Sequence, residues 1–112
     1  MKRADRVPRW LDDLAEALDT AASLVARGRR AYNGDPAIPL AFEALSIRVG
    51  EIAKRLTTAD PGRFSAEIWS DAAQHRDFVA HHYDRVDRDV LWETVARAFP
   101  ALRAELQQVR EA

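Results

Sequence analysis

The chain has 112 residues, 47% of them hydrophobic and 31% charged, with four Gly, five Pro and no Cys. A chain of this size buries roughly two thirds of its unfolded surface, so one apolar core can hold it; disulfide scaffolds and Cys-based zinc modules are excluded. Seventeen Lys+Arg against eighteen Asp+Glu leave a formal charge of −1, so any hold on nucleic acid must be local rather than a bulk polycation effect.

The N-terminal run MKRADRVPRWLDDLAEALD has basic residues but no apolar signal core, and no window reaches membrane-spanning length. The expectation is a cytoplasmic protein without a membrane segment. The first predicted helix opens near Pro8, a residue suited to an opening turn. It carries Trp10, Leu14, Ala17, Ala21 and Leu24 at steps of four and three, with Leu11, Leu18 and Val25 alongside. Asp12, Asp13, Glu16 and Asp19 take the other face, and Gly28 is the expected stop. From Arg29 to Pro39 the run RRAYNGDPAIP reads as a loop, because Asn33-Gly34 and Asp35-Pro36 are turn signals.

Phe42, Leu45, Val49, Ile52 and Leu56 predict a second helix with one buried stripe. Gly50 inside it costs about 1 kcal/mol against Ala, which close approach of a neighbouring helix would offset. Asp60-Pro61-Gly62 ends that helix, and Ser65 is the expected cap of a third. On the third, Ile68, Ala72, His75 and Val79 share a face, until the polar run HHYDRVDRD frays it. Asp87 should cap a fourth, with Val86 and Leu91 spaced as a hydrophobic staple and Leu91, Val95, Ala98, Leu102, Leu106 and Val109 forming its stripe. Pro100 should kink or split it. Nothing alternates as a strand would, so the expected class is all-α, an antiparallel four-helix bundle. Trp10, Trp69 and Trp92 read as core or interface anchors.

The candidate chemistry lies in His75-Arg76-Asp77-Phe78-Val79-Ala80-His81-His82-Tyr83. Arg76, four residues, His81, one residue and Tyr83 make an R-X4-H-X-Y pattern. In this pattern the chain resembles the HepT-like toxins of the HEPN ribonuclease superfamily. Ile47 to Leu56 is similar to that family's second-helix segment, and Tyr83 to Arg103 to its final helix with an internal proline. The likeness runs from about Val7 to Arg103. It implies a single HEPN-like domain over residues 1–112 and a homodimer whose two motifs line one interfacial cleft. It also implies metal-independent RNA cleavage without a cofactor. The partner it implies is an MntA-type minimal nucleotidyltransferase antitoxin, which silences the toxin by adding AMP to the tyrosine matching Tyr83. One position departs: the family often has Asn after the motif arginine, whereas Asp77 follows Arg76 here, and its charge would reduce the pull of Arg76 on phosphate.

The residue types fit that chemistry. Cleaving RNA without a metal requires a proton to leave the ribose 2′-hydroxyl, charge to be stabilised on the phosphorus oxygens, and a proton to reach the departing 5′ oxygen. Imidazole suits the transfers because its ordinary pKa, ~6.5, lies near neutrality. Arg76 offers a permanently charged fork for the phosphate, and His81 is the imidazole of the pattern. Five residues along a regular helix turn a side chain by about 140° and advance it about 7.5 Å, so Arg76 and His81 point to different sides. Either the helix loosens before His81, or two protomers bring the groups together. Arg76 and Tyr83 share a face if the helix persists.

Structural roles compete with these. Arg76 could pair with Asp71 or Asp77, His81 could be solvated or capping, and Tyr83 could bury its ring. His75 and His82 continue the apolar stripe and read as interface or core-edge residues. A metal set of Asp71, His75 and His82 would leave ligands two turns apart, so no metal is assigned. Asp77, His82, Arg85 and Arg88 are secondary candidates for supporting or binding RNA. The remaining arginines, Arg29, Arg30, Arg48, Arg55 and Arg63, are interspersed with acids and read mostly as solvated faces. The alternative from another class is a noncatalytic helical dimer that binds, and is modified by, a nucleotidyltransferase.

Overall fold

Apolar stripes at helical spacing decide the architecture, because each stripe must bury against another. The computed structural model describes residues 6–112, leaving aside the side chain of Tyr83. Helix α1 (Val7–Val25) is followed by α2 (Arg29–Gly34), α3 (Ala37–Ala59) and α4 (Glu67–His81). A 3-10 turn (Tyr83–Arg85) then leads into a continuous rod of α5 (Arg88–Glu93), a π-helical segment (Thr94–Ala98) and α6 (Phe99–Glu111). There is no strand among the described residues, and α1, α3, α4 and the final rod are the long members of an all-α bundle. Its extents, 43 × 27 × 24 Å, follow from α3, whose 23 residues span about 34 Å. None of the helices is long and apolar enough to cross a membrane.

The stripes meet in one core. Leu14 of α1, Phe42, Val49 and Leu56 of α3, Trp69 of α4, and Leu91, Leu102 and Leu106 of the rod are all fully buried. Asp87 caps the rod as its sequence position suggests, its carboxylate accepting from the backbone N–H groups of Asp89 (2.8 Å) and Val90 (3.1 Å).

Three local expectations give way to tertiary burial. The Arg29–Pro39 segment is not a plain loop: Gly28 at φ +93° reverses the chain, and α2 forms because Tyr32 plugs the core completely. Its ring packs on Phe42 (5.0 Å) and Trp92 (5.1 Å), and its hydroxyl donates to the carbonyl of Arg88 at 2.8 Å. Pro39 falls in the first turn of α3, where a backbone N–H has no intrahelical partner to lose. Ser65 does not cap α4, which starts at Glu67 after an extended Ala66. Phe64 instead fixes the approach, packed edge-on against Trp69 at 5.1 Å.

The third difference lies at Pro100. A proline cannot donate to the carbonyl four residues earlier, and its ring crowds that carbonyl. The rod widens into the π segment just before it, and Pro100 sits in the opening turn of α6. The rod therefore does not split at Pro100; the disturbance the proline was expected to cause is the π segment on its N-terminal side. Phe99 faces the core where Ala98 was expected, and Ala98 is exposed, while Leu102, Leu106 and Val109 are buried as their spacing suggests.

Candidate active site at the end of α4

Arg76 is placed by a glycine on the facing helix. A Cβ added to Gly50 of α3 would stand 2.0 Å from the Cβ of Arg76 and 2.7 Å from the carbonyl oxygen of Ala72, so the two helices touch backbone to backbone there. The close approach expected of Gly50 is realised, and it is made against the motif arginine itself. Its effect is to lay the Arg76 side chain, one quarter exposed, across α3.

Two carboxylates flank the guanidinium. One terminal nitrogen donates to Asp77 Oδ1 at 3.0 Å, and the other lies 3.4 Å from Glu51 Oε1, while Nε is buried without a partner. Of the two ion pairs foreseen for Arg76, Asp77 is used and Asp71 is not. Glu51 had no assigned role, although its position one residue after Gly50 is the signal that could have found it. Both acids are about half exposed, so water screens the pairs and they hold the side chain more than they stabilise the fold.

Arg76 opens into a polar cleft of ≈ 510 Å³ between the start of α1, α3 and α4. Arg6, Trp10, Lys54 and Arg55 line it together with Arg76 and Glu51. Glu51, Lys54 and Arg55 form one face of α3 at steps of three and one, opposite the stripe that ends at Leu56. The cleft is thus locally cationic in a chain whose overall charge is −1.

His81 is the last residue of α4 and is exposed, its imidazole without a hydrogen bond to any described group. The helix does not loosen before it: α4 stays regular through His81 and breaks at His82. Within one chain, Arg76 and His81 therefore diverge by about 140°. The helix does not persist to Tyr83, so the shared face expected for Arg76 and Tyr83 is lost; the backbone of Tyr83 starts the 3-10 turn, and its side chain lies outside the described residues.

The neighbouring candidates are dispersed. His82 turns back on α4, its Nδ1 3.2 Å from the carbonyl of Phe78 and its ring stacked on Phe78 at 4.8 Å. Phe78 is 46% exposed, which leaves an aromatic pair at the surface beside His81. Arg85 is exposed, 3.8 Å from Asp84, and Arg88 is exposed at the start of α5. Neither lines the cleft at Arg76.

His75 is a core-edge residue, as its place on the stripe suggests. Its Nε2 lies 3.0 Å from Oγ of Ser46, which is itself buried, so the pair is a polar tie between α3 and α4. Burial pushes the His75 pKa below its ordinary value and keeps the ring neutral. Among the described residues, no group of His, Asp and Glu is arranged to hold a metal.

Comparison with known proteins converges on one family. The family model described as "Ribonuclease HepT-like" matches residues 14–109. The chain is 28% identical over 75 residues to "Putative RNase TTE0752" of Caldanaerobacter subterraneus subsp. tengcongensis, a stretch covering 67% of each chain. It is 37% identical over 71 residues to "Probable ribonuclease HepT" of Thermococcus cleftensis, covering 62% of this chain and 63% of that relative. The aligned stretch thus spans about two thirds of each relative's length. No solved structure matches the chain.

Proposed function

Since this chain belongs to the ribonuclease HepT-like family, we propose that it is a metal-independent endoribonuclease toxin acting at a site made by Arg76 and His81 of two protomers. The observation that carries the reading is the R-X4-H-X-Y motif, with His81 exposed at the end of α4 and Arg76 opening into a cationic cleft. Because α4 is regular through His81, the two groups serve one phosphodiester only if a two-fold axis brings the motifs of two chains together. The exposed Phe78–His82 pair next to His81 supplies apolar surface for that association.

The steps follow from the groups. One imidazole takes the proton of the ribose 2′-hydroxyl, and the oxygen attacks phosphorus. Arg76 meets the charge that accumulates on the nonbridging oxygens. The imidazolium so formed gives its proton to the departing 5′ oxygen, leaving a 2′,3′-cyclic phosphate and a 5′-hydroxyl. DNA lacks the nucleophile and is inert.

Regulation belongs to the same reading. An MntA-type minimal nucleotidyltransferase would modify Tyr83 with AMP, two residues from His81, and the added bulk and negative charge would exclude the RNA phosphate. A cytoplasmic location fits an RNA substrate and that partner. The carboxylates of Asp77 and Glu51 beside Arg76 favour the second reading, a noncatalytic dimer modified by the same partner.

Incubation of the purified protein with single-stranded RNA in EDTA separates the two. Cleavage to cyclic-phosphate ends, lost in both Arg76→Ala and His81→Ala, supports the enzyme. Intact RNA, with AMP found on Tyr83 after coexpression with the neighbouring nucleotidyltransferase, supports the scaffold.

A further inference from the structure

The cleft beside Arg76 is larger than one guanidinium needs. Its volume of ≈ 510 Å³ lies within the range of small-ligand sites. Several cations elsewhere are tied to acids: Arg29 to Asp89, Arg97 to Glu93, Arg103 to Asp19 and Arg110 to Asp12. Among the described residues, no carboxylate pairs with Arg6, Lys54 or Arg55, so the cleft keeps its charge available. Trp10 forms one wall, partly exposed, and is in none of the aromatic pairs that occupy the other two tryptophans.

From this juxtaposition we propose that the cleft is a substrate subsite for the nucleotide next to the scissile phosphate: Lys54 and Arg55 hold its phosphate and the Trp10 indole stacks on its base. The inference rests on the ribonuclease reading, and it names the substrate form, single-stranded RNA. An unpaired base can leave its neighbours and lie on an aromatic face, whereas a base inside a duplex cannot. Charge is supplied where the phosphate runs, along one face of α3 that ends at Arg76, so an RNA strand in the cleft is led to the guanidinium. Stacking is indifferent to base identity, so the subsite selects single strands and not a sequence.

The test is binding of a fluorescent 12-nucleotide single-stranded RNA to the full chain carrying His81→Ala, which leaves the strand uncut. Lys54→Gln with Arg55→Gln, both at exposed positions, should weaken binding at least tenfold. It should also lower the slope of log Kd against log salt by about 1.4, or ~0.7 for each lost phosphate contact. Trp10→Leu should cost roughly 5- to 100-fold, and Trp10→Phe should restore most of it. A duplex of the same sequence should bind more weakly than the single strand. An unchanged Kd and salt slope in the Lys54/Arg55 variant overturns the subsite, as does a parent protein that does not bind the strand. If binding follows the proposal but the unsubstituted protein leaves RNA intact, the subsite stands and the catalytic reading fails.

Discussion

Replacing Gly50 by Ala adds one methyl group at the place where α3 and α4 are closest. That carbon would lie 2.0 Å from the Arg76 Cβ and 2.7 Å from the Ala72 carbonyl oxygen. Carbon atoms settle at about 3.5–4.0 Å, so α4 must retreat by roughly 1.5–2 Å around Arg76. Overpacking of this kind costs about 1–3 kcal/mol, and the better helix propensity of Ala returns about 1 kcal/mol. A net loss of about 0–2 kcal/mol should lower Tm by up to roughly 10 °C. Activity should suffer more than stability, since displacing a catalytic group by about 1 Å can cost on the order of 100-fold. Gly34→Ala is the control: its added Cβ meets nothing within 4 Å, so it should be neutral or slightly stabilising. Thermal melts and RNA cleavage rates of the two variants at a temperature where both are folded decide the matter. A Gly50→Ala protein that melts and cleaves like the wild type would refute the claim that this contact positions Arg76.

Asp77→Asn should raise kcat/KM for RNA several-fold in steady-state assays, because it frees one face of the Arg76 guanidinium without removing the side chain. Asp87→Ala removes the side-chain cap of α5 and should cost about 1 kcal/mol in urea denaturation, with unchanged m value. His75 carries a pH signature. Its folded pKa is depressed by burial, so the unfolded chain binds the proton more readily, and stability should fall as pH drops from about 6.5 towards the folded value. Urea midpoints at pH 7.5 and 5.5 should differ less in His75→Gln than in the wild type; equal differences would remove His75 as the cause.

How much of this was legible in the sequence varies with the range of the cause. Stripes such as Phe42–Val49–Leu56, the Asp87 cap and the break after His81 are local patterns, and they appear where spacing puts them. Helix α2 was hidden because Asn33-Gly34 and Asp35-Pro36 signal a turn, while the burial of Tyr32 that overrides them is a tertiary fact. The same holds for Phe99, which is buried where Ala98 was expected: both positions, three and four residues after Val95, suit the stripe, and tertiary packing chooses between them. At the site, the motif was readable by residue type, but its surroundings were not. Glu51 and Lys54 reach the Arg76 cleft from α3, and nothing in their local sequence says which face of α3 receives α4 except the missing side chain at Gly50.

Mixing two inactive chains tests the two-fold site most directly. Arg76→Ala and His81→Ala proteins, each folded, should each fail to cut RNA alone. After subunit exchange, verified by native mass spectrometry, the mixed dimer should regain cleavage because one chain supplies the guanidinium and the other the imidazole. Mixed dimers that form but leave RNA intact, or either variant cutting at the wild-type rate by itself, would contradict the account.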